Sequence, residues 1–194
     1  MGGRVGDALA IVGWLDAHDV HATIFMTGAM ADNQNTDAGR QVLALVDAHP
    51  ERFTLGNHSY THRDFRSLTA AEIRDELRRT EASIKAYCAQ DPKPFFRPPN
   101  GGYDADVLTA VGPAGYGYTV TWDIDTIDWR PIKNDPPGPS ADQIVAKVLD
   151  NAQGGSIVLM HLGGYETFAA LPRLVEGLES AGYVLVTLDE MLGT

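Results

Sequence analysis

The strongest constraint on this chain is the way short apolar runs alternate with amphipathic ones along nearly all of its length. Val5 to His18 has apolar residues at Val5, Leu9, Ile11, Val12 and Leu15, a helical spacing, and Asp19 to Met26 then reads as a short buried strand. Asp37 to His49 repeats the helical pattern, and Arg52 to Leu55 the strand. Thr69 to Cys88 is the clearest helix. Thr69 stands at its start, Glu72 lies at the capping-box offset, and Ile73, Leu77, Ile84 and Tyr87 continue the stripe. Strands are expected at Pro94 to Phe96, Tyr116 to Trp122, Ser156 to Met160 and Tyr183 to Thr187, with helices at Asp104 to Val111, Ala141 to Asn151 and Phe168 to Ser180. Short strands interleaved with helices belong to parallel sheets covered on both faces, either a barrel or an open doubly wound sheet. Neither GxGxxG nor GxxxxGK[ST] occurs, so no nucleotide motif favours the open form.

At 194 residues the chain is long enough for one domain with a sizeable core and short for two, so residues 1–194 are read as a single domain. A formal charge of −11 argues against a nucleic-acid footprint and against binding to anionic lipid. No apolar run is long enough to span a bilayer, and no signal peptide is visible. Cys88 is the single cysteine, which excludes an internal disulfide and suits a packed thiol on a helix.

The chemistry gathers where the strands end. His58 and His62 follow the second strand, Arg97 the third, Asp125 and Asp128 the next, and His161 the one after. Parallel α/β folds collect such positions at the C-terminal face of the sheet. In an extended strand the two histidines would lie roughly 13 Å apart. A metal shared between them therefore requires the strand to stop and a turn to begin, and Asn57 and Ser59 favour that change. Taken singly, each group has an ordinary structural role available, such as a turn cap for either aspartate. Their convergence on one face is what favours a site.

These stretches resemble the polysaccharide deacetylases of carbohydrate esterase family 4. The matching segments are His58-Ser59-Tyr60-Thr61-His62, Arg97-Pro98-Pro99-Asn100-Gly101, Asp125-Thr126-Ile127-Asp128-Trp129 and Leu159-Met160-His161, in the family's order. The resemblance implies a distorted (β/α) barrel and a divalent metal, usually zinc, with His58 and His62 as ligands. It further implies that Arg97 orients the catalytic-base carboxylate, and that His161 is the general acid, paired with Asp128, which sets its pKa. Trp129 would help form the acetyl pocket, with the loop at Asn100 and Gly101 and the acid Asp125 on the substrate side. A backbone N–H near Asn100 would help bind the oxyanion. The implied substrate is an acetylated glycan and the implied location is extracellular or in the cell envelope. An HExxH metalloprotease is excluded, because Ser59, Tyr60 and Thr61 separate the histidines.

The sequence departs from that pattern in three places. Asn100 stands where a Tyr is common, and Leu162 where an Asp is frequent. No stretch matches the family's opening strand, with its Thr-Phe-Asp-Asp-Gly-like end that supplies the base and the third metal ligand. The alternation begins with a helix, Gly2-Gly3 reads as the tail of a first loop, and Asp7 reads as a helix cap. A barrel lacking one strand is expected to leave a gap between Ala22–Met26 and Val184–Thr187, with edges open to self-association. The alternative function is a catalytically impaired carbohydrate-binding relative, or a fragment of a longer deacetylase.

Overall fold

The structure is a computed structural model that describes residues 5–194. The Gly2-Gly3 reading lies outside the described residues. Helices α1 (Ala8–Ala17), α3 (Ala38–Ala48), α4 (Ala70–Lys85), α5 (Ala105–Val111), α6 (Ala141–Asn151) and α7 (Thr167–Ser180) fall on the expected segments. Two short helices were not expected, α2 (Gly28–Ala31) and α8 (Leu188–Leu192). The capping box of α4 forms as anticipated, with the Thr69 hydroxyl accepting from the Glu72 N–H and the Glu72 carboxylate accepting from the Thr69 N–H. Asp7 occupies the N-cap position of α1, but its side chain makes no capping bond.

The strands β1 (Ala22–Met26), β2 (Phe53–Asn57), β3 (Phe95–Phe96) and β4 (Tyr118–Thr119) form one parallel sheet in chain order. Their register sets Ala22 opposite Phe53 and Phe96 opposite Thr119. A second parallel pair joins β5 (Ile124–Asp125) to β6 (Val158–Leu159). The wall is thus the parallel α/β type that the alternation demands, and every position of β2 is buried. The largest apolar cluster lies between this sheet and α1, α3 and α7, where Val12, Val42, Leu43 and Phe53 are fully enclosed.

Three strand expectations need correction. Tyr116 to Trp122 narrows to the two residues of β4, and Ser156 to Met160 to the two of β6. Tyr183 to Thr187 is not a strand at all. A strand is defined by a neighbour's hydrogen bonds, and this segment has no ladder partner among the described residues. Its apolar run is real, but Val184 is 83% exposed. The expected gap is present beside it. The Ala22 N–H donates to the Arg52 carbonyl and the Met26 carbonyl accepts from the His58 N–H, so the even-numbered residues of β1 face β2. Thr23 and Phe25 face the other edge, where no strand lies among the described residues. A cavity of about 890 Å³ opens there, lined by β1, by α1 and α7, and by Val184, Leu185 and Val186.

Candidate active site at the strand ends

The two histidines are brought together by a strained turn and not by a helix. β2 ends at Asn57, and the backbone then takes positive φ at Ser59 (66°) and again at His62 (62°). Non-glycine residues rarely hold this conformation, and two within four residues require surrounding contacts to fix them. Those contacts come from three sides. The Asn57 carboxamide accepts from the Ser59 N–H, and the Ser59 hydroxyl accepts from the His62 N–H. The Gly28 and Ala29 N–H groups at the start of α2 donate to the carbonyls of Ser59 and Tyr60. From α4, the buried Glu76 carboxylate accepts from the N–H groups of Tyr60 and Thr61. Gly28 is required for the close approach, because a Cβ there would lie 2.4 Å from the Tyr60 ring.

This turn sets the His58 and His62 rings edge to face with centroids 4.8 Å apart. The His58 Nδ1 lies 2.8 Å from the Arg97 carbonyl, a contact in which Nδ1 donates and Nε2 is left free. Burial pushes the pKa of His58 well below the usual imidazole range and that of His62 down to about 4, so both are neutral and able to ligate near pH 7. The pair suits two positions of a zinc set. Among the described residues, however, no group of three His, Cys, Asp or Glu side chains comes together that could hold a metal.

Arg97 is a buried cation, only 8% exposed. Its guanidinium donates to the carbonyls of Val120 and Thr121 and lies over the Phe25 ring at 4.3 Å. Burial alone brings its pKa down to about 10, with no carboxylate among the described residues to raise it again. The residue that the resemblance casts as orienting a base therefore has no base to orient among the described residues.

Across the cavity, Asp128 and His161 are joined. The Asp128 Oδ1 lies 2.6 Å from His161 Nδ1, and Oδ2 accepts from the His161 N–H at 2.8 Å. The Thr167 hydroxyl, at the start of α7, donates to the same Oδ2. Gly164 permits this convergence, since a Cβ there would fall 1.9 Å from the Thr167 oxygen. Asp128 is 1% exposed, so its oxygens are satisfied by these groups and not by water.

His58, His62, Arg97, Asn100, Asp125, Trp129 and His161 all line the one cavity. Asp128 supports His161 from behind, and Gly101 shares a short turn with Asn100, both at positive φ. Trp129 stands at the rim, 48% exposed, with the Arg130 guanidinium over its ring. The Asp125 carboxylate accepts from the Ile127 N–H at 2.8 Å, so it fixes its own turn as well as facing the cavity. Glu76 and Thr167 were not anticipated from the sequence. For Glu76 the signal was present, a carboxylate on the inner stripe of α4 beside Ile73, Leu77 and Thr80.

Comparison with known proteins bears on the family and the fold. The chain is 33% identical over 178 residues to an uncharacterised protein, YlxY, of Bacillus subtilis, covering 92% of this chain and 50% of that one. It thus spans about half the length of that relative. A carbohydrate esterase family 4 pseudoenzyme of Bacillus anthracis superposes with a TM-score of 0.78 at 30% identity, over 98% of this chain and 62% of that one. A peptidoglycan N-acetylglucosamine deacetylase superposes with a TM-score of 0.81 at 29% identity, over 100% of this chain and 85% of that one. The polysaccharide deacetylase profile matches residues 6–119, more than half of the sequence, and the chain belongs to the polysaccharide deacetylase family.

Proposed function

We propose that this chain carries the substrate face of a zinc-dependent hydrolase that removes acetyl groups from N-acetylated glycans of the peptidoglycan or chitin type, in the cell envelope. The observation that carries the reading is the pairing across one cavity of two neutral, turn-fixed histidines with the Asp128–His161 couple. His58 and His62 would hold the metal, which when bound polarises the acetyl carbonyl and activates water. His161, oriented through Nδ1 by Asp128, presents Nε2 as the acid that protonates the leaving amine. Trp129 and the Asn100–Gly101 turn shape the acetyl-binding side. The similarity to a peptidoglycan N-acetylglucosamine deacetylase supports the choice of substrate.

A specific observation favours the second reading, a carbohydrate-binding relative with impaired catalysis. Arg97 has no carboxylate partner, and the two histidines have no third ligand, among the described residues. The likeness to a pseudoenzyme points the same way. One experiment separates the two readings. Acetate release from N-acetylated chito-oligosaccharide is measured with added zinc, alongside calorimetric binding of the same oligosaccharide. Zinc-dependent release that is lost in both His58→Ala and His62→Ala supports the hydrolase. Binding without release supports the impaired relative, and neither binding nor release rejects both.

A further inference from the structure

The turn that carries the two histidines is fastened to the protein by one buried acid. Glu76 lies on the inner face of α4 and is 5% exposed. Its Oε2 accepts from the N–H groups of Tyr60 at 2.9 Å and Thr61 at 2.7 Å, and its Oε1 accepts from the Thr61 hydroxyl at 2.7 Å. All three donors lie between His58 and His62. Two consecutive N–H groups directed at one oxygen leave the intervening peptide no freedom to rotate, and the residues on either side, Ser59 and His62, are those held at positive φ. Removing the carboxylate would release both N–H groups and let this stretch relax toward ordinary φ, carrying the His62 ring away from His58.

The Arg79 guanidinium packs against the same turn, over the Tyr60 ring at 3.7 Å, and reaches Asp75. An amide oxygen at position 76 could accept the two backbone N–H groups that the carboxylate now holds.

We propose that Glu76 is the positioning residue of the metal site. It holds the 58–62 turn in the strained form that aims both imidazoles at one divalent cation. It touches neither substrate nor metal. This inference rests on the reading of His58 and His62 as zinc ligands, and the test separates a failure of one from a failure of the other.

Zinc affinity is measured by competition with a chromophoric chelator for the wild type, Glu76→Ala, Glu76→Gln and Thr61→Val, together with thermal melting and amide hydrogen exchange of each. Glu76→Ala is expected to weaken zinc binding by about 10- to 100-fold, the size of effect found when a group that orients a metal ligand is lost. It should also unprotect the Tyr60 and Thr61 amides. Glu76→Gln retains an acceptor for both N–H groups and should keep their protection and most of the zinc affinity. Thr61→Val removes only the hydroxyl contact and should stay near wild type. Glu76→Ala that melts lower yet binds zinc as the wild type does would show a merely structural acid and overturn the proposal. If the wild type binds no zinc, the metal reading fails, and amide exchange decides the clamp. Loss of protection confined to Tyr60 and Thr61 in Glu76→Ala then upholds it, and unchanged protection overturns it.

Discussion

Asp128 holds His161 at two points, with one carboxylate oxygen 2.6 Å from the ring Nδ1 and the other taking the backbone N–H at 2.8 Å. The imidazole and the chain that carries it are therefore fixed together by a side chain that is 1% exposed. Asp128→Ala would strand these donors and that of Thr167 in the interior. The expected cost is about 2–4 kcal/mol in urea unfolding, since each stranded group costs on the order of 1–3 kcal/mol and a vacated site relaxes in part. A loss under about 0.5 kcal/mol, within the range of ordinary surface changes, would mean that the contact is not maintained in solution.

Arg97 illustrates the opposite balance. Its guanidinium is buried against Phe25 with carbonyl acceptors but no counter-ion among the described residues. Replacing a buried charge by an apolar side chain of similar reach is often neutral or stabilising. Arg97→Met is expected to change stability between about −0.5 and +2 kcal/mol by urea titration, with the positive sign stabilising. A loss beyond about 3 kcal/mol would show that an anion pairs with this guanidinium in solution.

Gly28 sits where a Cβ would meet the Tyr60 ring at 2.4 Å and the Thr80 Cα at 3.0 Å. Gly28→Ala must push the histidine turn away from α2. The expected destabilisation is about 1–3 kcal/mol, the range for overpacking a tight interior. Zinc affinity should fall with it. Gly13→Ala, in α1 with open space around it, is the control and should be neutral or slightly stabilising.

Cys88 is buried three residues past the end of α4 and not on the helix as expected, its Sγ–H reaching Asp47, and burial pushes its thiol up to about 11. A thiol whose pKa is raised in the folded state leaves stability intact below the unfolded value near 9. Above that the unfolded chain ionises first, so this contribution is lost as pH rises from about 9 to 11. Alkylation by iodoacetamide at pH 8 should be negligible in the folded protein and rapid in urea. Rapid labelling without urea would refute the packed-thiol assignment.

The free edge of β1 and the exposed Val184 lie along one side of the cavity. An edge of this kind templates association, and a lysine on it opposes pairing. Sedimentation velocity should show concentration-dependent self-association that Val184→Lys reduces. Identical profiles for the two proteins would remove the edge as an interface.

Local rules determined the helices. Thr69 and Glu72 close the capping box of α4 within four residues, and the apolar spacing of α3 and α6 needs no distant partner to be read. The same rules put His58, His62, Arg97, Asp128 and His161 at strand ends, because parallel strands carry their termini to one face. The fate of Tyr183 to Thr187 could not be read in this way. Its apolar run is that of a strand, but a strand needs a neighbour's hydrogen bonds, and the unpaired edge of β1 makes no ladder with it across the cavity. The closeness of the two histidines likewise comes from positive φ at Ser59 and His62. No intrinsic preference of serine or histidine selects that backbone. It is imposed by Gly28, Ala29 and Glu76, which stand between 15 and 31 residues from the peptides they hold and reach them only once α2 and α4 have packed on the end of β2.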